Sequence, residues 1–340
     1  MPSVPETFVI AEAGVNHNGD MALARALVDV AADAGADAVK FQTFAVDRLV
    51  TRQAATAEYQ RRALGGEASQ YDMLARLELS SADHEMLYAH CAARRIEFMS
   101  TPFDPESARF LKRLGVRRIK ISSGDVTNLP MLEVVGALGL PVILSTGMAD
   151  LEEVAAAVAT LRAAGTADLA LLQCVSNYPA DPALTNLRAM DTLAREFGTP
   201  VGLSDHSPGT AVAIAAAARG ATYIEKHFTL DRTLPGPDHQ ASLLPDELRT
   251  LVRSIRDVAA ALGDGIKRPV PSELPVRDVA RKSLVAARDL PAGATLGPDD
   301  LVILRPGTGL SPAAWPRVLG RQTARSIPHH TPITEDMLLP

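Results

Sequence analysis

Two periodicities take turns along the chain. Short runs such as "FVIAEAG", "AVKFQTF", "EFMSTP", "RIKISSG", "PVILSTG", "LALLQCVS", "PVGLSD" and "YIEKHF" read as strands. Between them lie Ala- and Leu-rich runs with a helical apolar repeat, among them "MALARALVDVAADAG", "LEEVAAAVATLRAAG" and "PDELRTLVRSIRDVAAALG". Several close on Gly, as a left-handed C-cap favours. Eight strands, each followed by a helix, predict an α/β architecture: a closed (β/α)8 TIM barrel over residues 1–265. The rival, a doubly wound open sheet, usually has fewer strands, and the chain lacks the GxGxxG turn that such sheets use for phosphate.

Past the last helical run the pattern changes. "GDGIKRPVPSELPVRD" is Pro-rich with mixed charges and predicts an extended, semi-rigid linker over 266–278. At ~3 Å per residue it reaches on the order of 40 Å, enough to deliver the C-terminal segment to a neighbouring subunit. Residues 279–340 carry short β segments between Pro/Gly turns and predict a small β-rich module, whose core is marginal alone. Within the barrel, the connection from Ala45 to Ser80 is long. Its "TAEYQRRALGGEASQYDMLARLELS" predicts a short helix and a flap over the barrel mouth.

Composition narrows the partners. With 47% hydrophobic and 22% charged residues the chain has ample core for a globular protein. A net charge of −6 argues against nucleic acid and allows an anionic ligand only where cations gather locally. No apolar run is long enough for a bilayer, and "MPSVPETFVIAEAG" lacks a basic leader, so no membrane role is expected. Two cysteines, Cys91 and Cys174, supply no disulfide framework and fit a reducing cytoplasm. Cys174 reads as a buried strand residue rather than a nucleophile, since no base lies near it in sequence.

The chemistry lies where the strands end. In order come Glu12 and Asn16; Lys40 and Gln42; Thr101; Lys120 and Ser123; Ser145 and Thr146; Ser176 and Tyr178; Ser204 and His206; Glu225 and His227. In this fold the βα loops build one active mouth at that pole. Wet turns explain one or two such residues, but not two lysines, two glutamates and two histidines. His206 and His227 end neighbouring strands, ~4.8 Å apart, so their imidazoles can meet at one divalent ion with open positions. Lys40 and Lys120, with Thr101, Ser123, Ser145 and Ser204, suit a phosphate. Glu12 and Glu225 are the acid/base candidates.

These residues together resemble the sialic acid synthase family. The matching pieces are "AEAGVNHNG", "GADAVKFQTF", "STPFD", "KISSGD", "ILSTGM", "GLSDHS", "IEKHFTLD" and "GPDH", then "RPGTGLSP" near the C-terminus, in family order. The resemblance implies a barrel plus a C-terminal antifreeze-like (SAF) domain, and condensation of phosphoenolpyruvate with an N-acylated hexosamine to a nine-carbon keto acid. It implies a divalent cofactor, Mn2+ first with Mg2+ or Co2+ as alternatives, and a domain-swapped homodimer. By motif, His206 and His227 fall on the metal ligands, and Glu12 on the base that activates water. Lys40, Thr101, Lys120, Ser123, Ser145 and Ser204 fall on the phosphoenolpyruvate site. Gln42, Tyr178, Glu225 and Asp238 fall on sugar-side positions, and Arg305 on an arginine reaching the partner's sugar. "CVSNYP" carries Ser176 where members using N-acetylmannosamine can carry Asn, leaving N-acetylmannosamine and a 2,4-diacetamido-trideoxyhexose both open as the sugar. Other phosphoenolpyruvate–aldose synthases and a non-catalytic sugar-binding barrel are the competing readings.

Overall fold

The computed structural model describes residues 7–55 and 69–340; residues 56–68, most of the expected flap, lie outside the described residues. The chain divides into two units, with the break between Asp264 and Gly265.

In the first unit the eight expected strands form: β1 (Phe8–Gly14), β2 (Ala38–Thr43), β3 (Glu97–Pro102), β4 (Ile119–Ile121), β5 (Val142–Ser145), β6 (Leu169–Cys174), β7 (Val201–Asp205) and β8 (Tyr223–His227). They make one sheet in the order β3-β2-β1-β8-β7-β6-β5-β4, and β3 lies beside β4 to complete the circuit. Helices begin where the side chains dictate. Asp150 caps the helix Leu151–Ala164 by accepting from Glu152 N and Glu153 N, while Glu153 reaches back to Asp150 N.

Alternation along the strands sorts two cores. Val9, Val39, Ile119, Leu144, Leu171, Leu203 and Ile224 point outward and join the helices in one large cluster. Ile10, Ala38, Met99, Ile143, Ala170 and Leu172 point inward and fill the barrel's middle. At the next inward-facing position Glu12, Lys40, Thr101 and Ser145 follow these residues, while on β6 Cys174 follows Leu172. Packing of the strands' outward faces thus fixes which residues face the mouth.

The amino-terminal pole of the barrel carries a charged pair. Arg118 donates to both Glu97 oxygens (2.8 and 3.2 Å), stacks 4.4 Å over the Phe8 ring and reaches Tyr223 Oη at 3.3 Å. Its planar fork matches the carboxylate while its face covers an aromatic ring.

The second unit pairs β9 (Ser283–Ala286) antiparallel with β10 (Leu301–Leu304) over its own core of Leu284, Leu290, Leu296, Val318, Ile327 and Ile333. Between barrel and β9 the chain is not extended throughout: Pro271–Glu273 form a 3-10 turn and Leu274–Ala280 an α-helix. Pro271 and Pro275 sit in first turns, where a missing N–H costs nothing, so prolines read as extension instead start helices.

Gly202, on the inward face two residues before Ser204, has no room for a side chain. A Cβ there would lie 2.2 Å from the Tyr223 carbonyl oxygen and 2.7 Å from Leu172 Cδ2. Gly202→Ala is therefore expected to cost about 1–3 kcal/mol and lower Tm by several degrees in calorimetry. An unchanged Tm would contradict the packing described.

Candidate active site

Strand register delivers the polar residues to one mouth. Glu12 pairs with Lys40 on one side and His227 on the other, Gln42 with Thr101, and Ser204 with Glu225. Around them opens a cavity of about 440 Å³. It is lined by Glu12, Lys40, Gln42, Thr101, Lys120 and Ser123 from the first half of the barrel. Ser145, Ser176, Tyr178, Ser204, His206, Glu225 and His227 complete it from the second. Asp238 borders an adjoining cavity of about 240 Å³ that shares Gln42, Tyr178 and His227. Arg305 is an exposed residue of the second unit, directly after β10.

At the floor lie four charges. Lys40 Nζ is 2.8 Å from Glu12 Oε2 and 3.6 Å from Glu225 Oε2; Lys120 Nζ is 3.6 Å from Glu225 Oε1. No side chain of the four is more than 5% exposed. Ser204 Oγ donates to Glu225 Oε1 at 2.8 Å, and Lys40 also donates to Thr101 Oγ1 at 2.9 Å. Burial opposes ionisation of Glu225, but Lys120, Lys40 and Ser204 outweigh it and hold this carboxyl below its usual range. Glu12 goes the other way. Burial, helped by the charge of Glu225, outweighs Lys40 and pushes its carboxyl up to about 7. For Lys40, burial works against the charge, and the two glutamates overcome it and raise its pKa. Two carboxyls in one site, driven apart, divide the work: one stays an anion, the other exchanges a proton near neutrality.

The imidazoles lie above this floor. His206 and His227 have ring centroids 5.4 Å apart; the Tyr178 ring is tilted 4.0 Å from His206 and perpendicular to His227 at 5.4 Å. His206 Nδ1 donates to the Val175 carbonyl at 2.7 Å, the arrangement that orients a metal-binding imidazole and leaves an Nε2 lone pair when the ring is neutral. Among the described residues, His227 Nδ1 and Ser145 Oγ are buried and find no hydrogen-bond partner. Burial, with His206 and Lys40 nearby, keeps His227 neutral far below its ordinary pKa. At His206 burial again disfavours charge, but Cys174 and the Val175 carbonyl prevail, so this site favours a positive charge. Asp238 Oδ2, at 4.0 Å from His227 Nδ1, is beyond hydrogen-bond length, and burial raises its carboxyl to about 6. Among the described residues no three His, Cys, Asp or Glu side chains converge on one point. A neutral imidazole, a second in an electron-rich setting and an unpartnered buried nitrogen nevertheless fit a divalent ion that takes its other ligands from solvent or substrate.

A (β/α)8 barrel whose carboxyl-end mouth gathers cations, hydroxyls, a carboxyl titrating near neutrality and paired imidazoles is built as an enzyme for an anionic small molecule. The chain belongs to the NeuB family, which it matches over residues 27–267, and carries a SAF domain at residues 281–339. It is 49% identical to the N,N'-diacetyllegionaminic acid synthase of Legionella pneumophila, over 94% of this chain and 91% of that protein. It is 44% identical to the synthase of the same name from Campylobacter jejuni, over 93% and 95%. The crystal structure of N-acetylneuraminic acid (sialic acid) synthetase from Leptospira borgpetersenii superposes with a TM-score of 0.69 at 37% identity, covering 79% of this chain and 90% of that one.

Sequence patterning misses several residues at this site. Gln70, Phe103 and Met148 also line the cavity, brought there by segments outside the strands' periodic runs, and Ser122 of "RIKISSG" joins them. Cys174, expected as a buried strand residue, is buried but faces the cavity too. Behind the imidazoles, Lys226 and Asp205 pair across β7 and β8 at 2.7 Å on the outward, helix-facing side, each 1% exposed. Lys226 also donates to the Ser207 carbonyl, and Asp205 Oδ1 accepts from Ser207 N and Oγ. Each member of the pair adjoins a histidine, so the brace fixes the backbone that carries both. Opposite charges on the apolar side of adjacent strands are the available signal. Lys226→Met strands the Asp205 carboxylate, an expected loss of roughly 3–5 kcal/mol read from the urea midpoint at constant m. A midpoint within error of the parent would show the pair carries no such burden.

Proposed function

We propose that this protein is a nonulosonic acid synthase, condensing phosphoenolpyruvate with an N-acetylated amino sugar to a nine-carbon 2-keto acid and phosphate. The observation that carries the reading is one cavity holding paired ammonium groups and hydroxyls on its floor and paired imidazoles above. The names of the similar synthases agree with it.

Lys40 and Lys120, with Thr101, Ser123, Ser145 and Ser204, bind the phosphate and carboxylate of phosphoenolpyruvate and offset their mutual repulsion. Gln42, Ser176, Tyr178 and Asp238 orient the open-chain sugar so that its aldehyde carbon meets C3 of phosphoenolpyruvate. His206 and His227 hold a divalent ion, Mn2+ foremost with Mg2+ or Co2+ as alternatives; when bound it supplies a Lewis acid that polarises the aldehyde. The C3–C1 bond forms, the aldehyde oxygen takes up a proton, and C2 becomes electron-deficient. Water adds at C2 and gives its proton to Glu12, the carboxyl that burial has brought near neutrality. The C2–O bond then breaks and phosphate leaves with the electron pair, taking the proton of the new C2 hydroxyl, so the 2-keto acid remains. The proton held by Glu12 replaces the one taken up by the aldehyde oxygen. Glu225 pairs with both lysines and keeps them aimed throughout. Arg305 reaches the acyl group of a sugar bound by the partner subunit in a domain-swapped homodimer, as the family resemblance implies. Such a synthase belongs among cytoplasmic biosynthetic enzymes.

Phosphate release should require both substrates, vanish on chelation and return with Mn2+, and mass spectrometry should find a product nine carbons long. Release from phosphoenolpyruvate alone would sink the condensation. His206→Ala should reduce turnover by orders of magnitude with the circular dichroism spectrum kept; retained activity refutes the metal assignment. Because Glu12 must be ionised, kcat/KM should rise with pH to a plateau above about 7. Glu12→Gln should lose about 10²–10⁴-fold and flatten that acid limb; an unchanged profile would assign the limb elsewhere.

A further inference from the structure

The connection over residues 229–244 follows His227 and Phe228 at the end of β8 and carries Asp238 to the mouth. Its two ends meet: Phe228 pairs with Leu243, Thr229 N donates to the Leu243 carbonyl and Leu243 N to the His227 carbonyl, both at 2.9 Å. A loop closed at its base still needs its interior held. The turn "VNHNG" after β1 holds it. Asn16 Nδ2 donates to the Phe228 carbonyl at 2.8 Å and to Ser242 Oγ at 3.0 Å, and Ser242 Oγ donates in turn to the Asp238 carbonyl at 2.6 Å. Asn18 Oδ1 accepts from His239 Nε2 at 3.1 Å, while His239 Nδ1 meets Thr229 Oγ1 at 2.7 Å. A Cβ on Gly236 would lie 2.6 Å from His239 Cδ2 and 2.8 Å from Asn18 Oδ1, so the loop folds tightly over this second tie. Asn16, Ser242, His239 and Thr229 are all buried.

Asn16 stands among the polar residues at the strand ends, yet it lines neither cavity of the mouth, and both its amide hydrogens are spent on the loop. The β1–β8 ladder, extended by Phe228 N on the Glu12 carbonyl at 3.0 Å, already joins the two strands, so barrel closure does not depend on the asparagines. What they fix is the course of the loop between His227 and Asp238. We infer that Asn16 and Asn18 are positioning residues, which touch no substrate and hold Asp238 where the sugar must meet it. The inference rests on the condensation proposed above for the meaning of that place. Lys40, Thr101, Lys120, Ser123, Ser145 and Ser204 stand on or directly after β2, β3, β4, β5 and β7, so a loosened loop should misplace the sugar and spare phosphoenolpyruvate.

Three separate variants of the full-length protein test this. Ser242→Ala removes the hydroxyl between Asn16 and Asp238. Asn18→Gly deletes the amide and suits the backbone, which has φ +52° there. Asn16→Asp keeps the shape and turns an acceptor toward the Phe228 carbonyl. In hydrogen–deuterium exchange each should speed exchange within residues 229–244 and leave the barrel strands as in the parent. Unchanged exchange of that segment in all three overturns the clamp, whatever the enzyme does. Phosphate release is then followed with phosphoenolpyruvate and Mn2+, with N-acetylmannosamine and 2,4-diacetamido-2,4,6-trideoxymannose each tried as the sugar. Each variant should raise KM for the sugar by about five- to tenfold, the scale of one lost hydrogen bond, with KM for phosphoenolpyruvate held at the parent value. A parallel rise in both KM values, or a loss confined to kcat, marks a merely structural role and overturns the assignment. No phosphate from the parent with either sugar defeats the condensation, and the exchange measurement still decides whether the asparagines hold the loop.

Discussion

Two ammonium groups and two carboxyl groups share the floor of the mouth, none with a side chain more than 5% exposed. Removing each from solvent costs several kcal/mol, while a pair at ~4 Å recovers on the order of 4 kcal/mol at the effective dielectric of a protein. The array therefore survives only because its signs alternate: Lys40 lies between Glu12 and Glu225, and Glu225 between Lys40 and Lys120. Remove one member and its neighbours are stranded. The same balance explains why the two carboxyls differ, since Glu225 has two cations and a hydroxyl while Glu12 has one close cation and a neighbouring anion.

An alternating array that is neutral when all four groups are charged has little attraction to spare for an anion. A reactant bearing both phosphate and carboxylate needs more positive charge than two lysines already partnered can give. Protonation of Glu12 releases some of it, and the electron-rich setting of His206 welcomes more. This is the physical reason for placing the proposed divalent ion beside the lysines rather than apart from them.

Much of this architecture is legible in the residue pattern alone. All eight strands fall within their apolar runs, because period-two alternation against a helix layer leaves little freedom. The same alternation puts Glu12, Lys40, Lys120, Ser204, Glu225 and His227 on one face, and the strand register agrees for the pairs it joins. Features without a period escape. Arg118 and Glu97 stand at strand starts, where a charge usually means solvent, yet they face inward and satisfy each other. Gln70 and Met148 arrive on segments whose course depends on tertiary packing. The prolines before β9 are ambiguous by nature, since a fixed φ suits an extended strand and a first helical turn alike.

The apolar layer that fills the barrel's middle, backed at the amino-terminal pole by the Arg118–Glu97 pair, plugs the barrel and makes its mouth a blind vessel. Traffic in and out must share the carboxyl-end opening, and a blind vessel fills from the base. If the deep cationic floor takes the phosphorylated reactant, that reactant has to settle before the sugar lands above it. The order of addition is then a property of the plug, some way from any atom that reacts.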